Sequence, residues 1–138
     1  MAIIAKFLLI FFLFILVDSP YLYYNSNTYK NITHSISKKP YTSRYYSIAL
    51  VYIALSLGLL LLVLPKIQKQ HLLRDSLIYG GGFGIASYAV FDFTAHFMFE
   101  GWSLKTSIID TLWGGILCSI VTAIASIASI ASISTIYL

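Results

Sequence analysis

Charge is what this chain has least of. Only 10% of its 138 residues are charged, and acids number just 5. A soluble domain carries about 25%, and 59% of the residues here are hydrophobic. The apolar residues are gathered in long runs, so a soluble globule is excluded and an integral membrane protein is expected. Cysteine is nearly absent as well. Cys118 stands alone, so no internal disulfide can form, and its apolar surroundings read as packing. No catalytic set, metal-ligand spacing or cofactor motif is present. The glycine run Gly80-Gly81-Gly82-Phe83-Gly84 lacks the Lys-Ser or Lys-Thr of a phosphate loop. A formal net charge of +4 lies in connecting segments, which suits lipid headgroups and not nucleic acid.

What is present reads as a single integral membrane domain over residues 1–138, an all-α, four-helix transmembrane bundle. The spans are expected at about 2–23, 45–64, 76–99 and 106–137. In the first, Lys6 and the run Phe7–Val17 also fit a signal peptide, but no small-x-small cleavage site follows. Asp18-Ser19-Pro20 looks like that helix's end. The polar stretch 25–44 is the one long connection, with room for a short interfacial helix. Within it Asn31-Ile32-Thr33 matches the glycosylation acceptor triplet; an unmodified polar loop is the favoured reading of the same residues. Tyr45, Tyr46 and Tyr52 open the second span as interfacial aromatics, and Pro65 closes it. Gly80 and Gly84 have small-xxx-small spacing, as do Ala125/Ser129 and Ala128/Ser132 in the period-three tail, so Gly/Ala/Ser faces are expected to pack helices or to form a homo-oligomer.

The most informative stretch is Tyr88 to Gly115, YAVFDFTAHFMFEGWSLKTSIIDTLWGG. It reads as two helix arms joined by a turn at Glu100-Gly101-Trp102. Asp92 lies eight residues before Glu100, and Asp110 eight after Trp102. At ~1.5 Å per residue both carboxyls should lie roughly 12 Å from the turn, at one depth. Four crossings put the N-terminus, the 65–75 loop and the C-terminus on one side (side A). The 18–44 connection and the 100–105 turn fall on the other (side B). Asp18, Asp92 and Asp110 then share the side-B leaflet. Each would cost about 2.5–3.5 kcal/mol in lipid on insertion scales. The positive-inside count is nearly tied, with Lys66, Lys69 and Arg74 in a short loop favouring side A as cytoplasmic.

Residues Tyr88, Phe91-Asp92-Phe93-Thr94, Gly101-Trp102, Asp110 and Trp113-Gly114, with the early Asp18, resemble domain-of-unknown-function family 2177, predicted membrane proteins of bacteria and large DNA viruses. The resemblance covers nearly the whole chain. It implies the four-span fold and a bacterial, virion or host membrane, and it implies no activity. The chain differs at Phe91 and Ala95, where the family favours Tyr and Asn, and after Asp18, where the family has a nearby Trp. His96, one turn after Asp92, stands as a replacement polar group.

The expected polar cluster is therefore Asp18, Tyr88, Asp92, His96, Asp110 and Trp113, with Tyr88 and His96 each four residues from Asp92 on its helix face. Asp92, His96 and Asp110 have donor types that suit a metal, but no second histidine or cysteine joins them, so no metal is expected. Two functions fit. The first is a non-enzymatic structural or assembly protein whose buried Asp/His cluster locks helices three and four together. The alternative is a small proton or cation transporter or channel using that cluster. The lipid bilayer is the expected partner in both.

Overall fold

The computed structural model describes residues 1–40 and 43–136. All regular structure among them is helical. Six helices follow in order: α1 (Ile3–Tyr24), α2 (Ser26–Ser37), α3 (Tyr45–Gly58), α4 (Leu72–Asp75), α5 (Gly81–Met98) and α6 (Leu104–Ile136). A π-helical turn, Leu59–Val63, and a 3₁₀ turn, Leu64–Lys66, prolong α3. Another π-helical turn, Ser76–Gly80, joins α4 to α5, so 72–98 is one continuous rod.

Among the described residues, three helices are long and apolar enough to cross a membrane: Ile3–Tyr24, Tyr45–Lys66 and Leu104–Thr135, with mean hydropathies of 2.3, 2.7 and 2.3. The rod over 72–98, where a span is expected at 76–99, is not one of them. Glycines, Asp92 and His96 dilute its apolar content. Its polar and small residues are nevertheless not spread evenly. Gly81, Gly84, Asp92 and Ala95 are buried on one face, while Leu77, Ile78, Ile85, Val90 and Phe97 are exposed on the others. The expected end of the last span, Tyr137, lies outside the described residues.

The first span does not stop at Asp18-Ser19-Pro20. The helix runs through Pro20 to Tyr24. Proline removes only one backbone donor, and the Ser19 hydroxyl donates to the Ile15 carbonyl in the turn before it. The stop comes at Asn25, whose backbone N–H and Nδ2 both donate to the Tyr21 carbonyl, at 3.0 and 2.9 Å. Asp18 is thus an interior helix residue, 3% exposed.

The long helix α6 is the hub. On one side it packs against α1 and α3 around Ile10, Phe14, Leu55, Leu59, Leu117 and Val121. Cys118 is fully buried there with a free thiol. On its other side α6 takes the rod over 72–98 along its length. Lipid tails are as apolar as leucine, so close contact, more than the hydrophobic effect, must hold helices together here. Glycine supplies it. A Cβ at Gly84 would collide with the Gly114 carbonyl, and one at Gly114 would enter the Tyr88 ring. At Gly80 a Cβ would stand 2.5 Å from Thr122 Oγ1. The Gly80/Gly84 spacing therefore serves a contact inside the chain.

The 67–75 loop is tied by Asp75. Its Oδ2 accepts the Gln68 backbone N–H at 3.0 Å, and Oδ1 accepts Arg74 Nη2 at 3.0 Å. The Gln68 N–H is the larger cause, with Arg74 second among the bonds, holding the Asp75 carboxyl below its usual range. The Arg74 side chain is 60% exposed, so its ion pair adds little. A carboxyl whose pKa is lower folded than unfolded adds stability above its unfolded value, about 3.9, and loses it as pH falls through the folded value. Hydrogen exchange at the Gln68 amide is thus expected to be slow at neutral pH. Beyond the intrinsic pH trend, its protection should collapse as pH drops below about 4. In Asp75→Ala that protection should be missing at pH 7 as well.

A candidate acidic chamber beneath the interfacial helix

Polar groups from five helices meet in the half of the bundle nearest the α5–α6 turn. Asp18 of α1 accepts Tyr52 Oη–H of α3 on Oδ2 at 2.7 Å, and Trp113 Nε1–H of α6 on Oδ1 at 2.8 Å. Asp110 of α6 accepts two hydroxyls on Oδ1, one from Tyr21 of α1 and one from Tyr29 of α2, the latter at 2.5 Å. The two nodes touch through a ring stack: Tyr21 lies on Trp113 with centroids 4.7 Å apart and planes within 7°. Every donor to Asp18 and Asp110 comes from a different helix, so the four bonds tie α1, α2, α3 and α6 together.

Asp92 of α5 completes the chamber. It is 1% exposed, its carboxyl interacts with that of Asp110, and its Oδ1 has no hydrogen-bond partner among the described residues. The hairpin turn holds its backbone: Trp102 Nε1–H donates to Ser107 Oγ at 3.1 Å, and Ser107 Oγ–H donates to the Asp92 carbonyl at 3.0 Å. Asp92 and Asp110 thus do come together across the hairpin. Asp18 is linked to Asp110 through the stacked Tyr21 and Trp113 rings.

His96 is not in the chamber, contrary to its expected place beside Asp92. It is exposed, and its Nδ1 lies 2.7 Å from the Trp102 carbonyl at the turn. The cause is helical phase. At ~100° per residue, Gly81, Gly84, Tyr88, Asp92 and Ala95 form a narrow stripe towards α6, and His96 falls about 80° from its centre. Tyr88 lies on the stripe and half-buried, but its ring covers Gly114 and no Tyr88–Asp92 bond forms among the described residues. Among the described residues no three His, Cys, Asp or Glu side chains are placed to hold a metal ion. Glu100 is exposed at the turn.

Three donors escape sequence reasoning: Tyr21, Tyr29 and Tyr52. Each stands in or near a segment whose aromatics read as headgroup anchors, and only the fold shows which hydroxyls turn inward. A faint signal exists for Tyr29. The inward residues of α2 and its N-cap are Asn25, Ser26, Tyr29, Ile32, Thr33 and Ile36, a helical period with Tyr29 near its centre. That helix lies over the α5–α6 turn, where a Cβ on Gly101 would stand 2.7 Å from Ser35 Oγ and 3.1 Å from Ile36 Cγ1. It therefore covers the turn end of the chamber. Asn31 is exposed on the same helix.

A membrane-embedded all-α bundle is the class that this fold defines. The chain belongs to the family of predicted membrane proteins DUF2177, whose pattern matches residues 3–127. No curated protein and no solved structure matches it.

Proposed function

We propose that the chain is a non-enzymatic, multi-pass membrane protein of structural or assembly type. The rod over 72–98 makes the fourth crossing, and the acidic chamber is the lock that fixes the bundle. One observation carries this reading: Asp18 and Asp110 are each held by two aromatic donors drawn from other helices. The outer apolar face of the rod over 72–98 supports the fourth crossing, because lipid would cover it while α6 shields Asp92. Gly82 and Ala86 give that outer face a small-xxx-small pair for self-association.

A second reading, a proton or cation carrier, is favoured by the unpartnered Oδ1 of Asp92 beside Asp110. Reconstitution in liposomes separates the two. Under the structural reading, wild type and Asp92→Asn show proton and sodium flux no faster than protein-free vesicles. Tyr52→Phe and Trp113→Phe each lower stability by about 0.6–1.7 kcal/mol, the range of interhelical hydrogen bonds in membranes. Wild-type flux that Asp92→Asn abolishes without loss of stability would make the carrier reading the correct one.

A further inference from the structure

A groove of about 460 Å³ opens at the side-A end of the bundle, between α1, the end of α3 and α6. Its walls are apolar, with Ile3, Leu60, Leu64 and Ile67 among them, but three polar side chains enter it: Lys6, Ser126 and Ser129. Each is out of place unless something polar meets it.

Ser126 and Ser129 differ from the other serines of α6, which are hydrogen-bonded. A serine in a membrane helix bonds back to a carbonyl one turn earlier. Ser119 does so to Gly115, Ser134 to Ile130 and Thr135 to Ala131, at 2.7, 3.2 and 3.1 Å. Ser126 and Ser129, in the groove, do not. Their Oγ atoms are buried without a partner among the described residues, and Ser126 is only 5% exposed. Buried hydroxyls are normally paired. Lys6 lies one turn into an apolar helix, where its stem can run along the groove while the ammonium reaches headgroup level. No acid forms an ion pair with it among the described residues. Lys66 and Lys69 flank the same end, and the sole acid of that loop, Asp75, is engaged by Arg74. The groove is thus a cationic mouth with hydroxyl donors inside and apolar walls. Thr122 Oγ1, one turn earlier on the same face, is also buried without a partner among the described residues, but it packs against Gly80 and does not line the groove.

We infer that this groove is a binding site for one anionic phospholipid of the side-A leaflet, with Ser126 and Ser129 donating to the phosphate, Lys6 meeting its charge, and an acyl chain lying against Leu60, Leu64 and Ile67. A groove of this size holds a headgroup and the first part of a chain, not a whole lipid. The hydroxyls recognise phosphate in any phospholipid, and Lys6 discriminates in favour of net negative headgroups.

The test uses the full-length chain in nanodiscs of equal phosphatidylglycerol and phosphatidylcholine, with bound lipid counted by native mass spectrometry. Wild type should retain one phosphatidylglycerol in preference to phosphatidylcholine. Lys6→Gln should reduce that preference roughly fivefold, the effect of one lysine charge at a membrane surface, and Lys6→Arg should keep it. Ser126→Ala with Ser129→Ala should weaken retention of both lipids alike, and this small change leaves the helix able to fold. Equal retention of both lipids by wild type, or a preference that Lys6→Gln leaves unchanged, would overturn the assignment. So would serine variants that hold lipid as wild type does.

Discussion

Gly84→Val is expected to lower the stability of the bundle by about 3 kcal/mol or more, the upper range for overpacking a tight contact. The reason is what the added carbon meets. At most crowded positions a new Cβ strikes the flexible end of a side chain, which swings away. At Gly84 it strikes the carbonyl of Gly114, with the Cys118 Cβ close by at 2.8 Å. Backbone cannot rotate aside without breaking α6, so the two helices must separate. Separation also lifts Tyr88 off Gly114 and moves Asp92 away from Asp110, which couples the packing defect to the chamber. Gly82→Ala is the internal control. Nothing lies within 4 Å of a Cβ there, so the variant should stay within about 0.5 kcal/mol of wild type, as surface substitutions do. Reversible unfolding in bicelles or by steric trapping measures both. Equal losses at the two positions would show that α5 does not meet α6 through its glycine face.

Asp18→Leu is expected to cost about 3 kcal/mol, for two reasons that act in the same direction. Before the helices associate, Asp18 faces lipid, at a cost of about 2.5–3.5 kcal/mol on insertion scales. Association relieves part of that cost because Tyr52 and Trp113 donate to both oxygens. Leucine removes this gain. It also leaves a buried hydroxyl and a buried indole N–H without an acceptor, each worth about 1–3 kcal/mol. Asp18→Asn keeps one carbonyl oxygen and should fall between leucine and wild type. The same unfolding assay ranks the three. A leucine variant as stable as wild type would mean that the Asp18 node contributes nothing to the fold.

Much of this architecture is legible in the sequence, and the missing parts share a cause. The meeting of Asp92 and Asp110 follows from equal spacing about a turn, because helical rise converts residue count into depth. Asp18 joins them once the chain is threaded back and forth. Rotation about the helix axis is harder to read than depth. His96 has the right depth and the wrong azimuth, since four residues overshoot a full turn by about 40°. The proline at 20 reads as a stop because its missing donor is visible in sequence, while the Ser19 hydroxyl contact beside it is not. The rod over 72–98 looks like a span by pattern, yet its glycines and acid keep it out of the set that length and apolarity alone would select. Most of those residues, Gly80, Gly81, Gly84 and Asp92, are the ones facing α6. The hydroxyl donors Tyr21, Tyr29 and Tyr52 are hidden for another reason: a tyrosine at the membrane edge serves equally as a headgroup anchor or as a hydrogen-bond donor, and only tertiary packing separates the two.

The most direct probe of a chamber closed by α2 is a double-mutant cycle between Tyr29 and Asp110, 81 residues apart. Unfolding free energies are measured for wild type, Tyr29→Phe, Asp110→Asn and the double variant. A coupling of about 1 kcal/mol, within the range for interhelical hydrogen bonds in membranes, is the predicted result. Strictly additive losses would mean that the interfacial helix does not reach the buried acids, and the chamber as described would not exist.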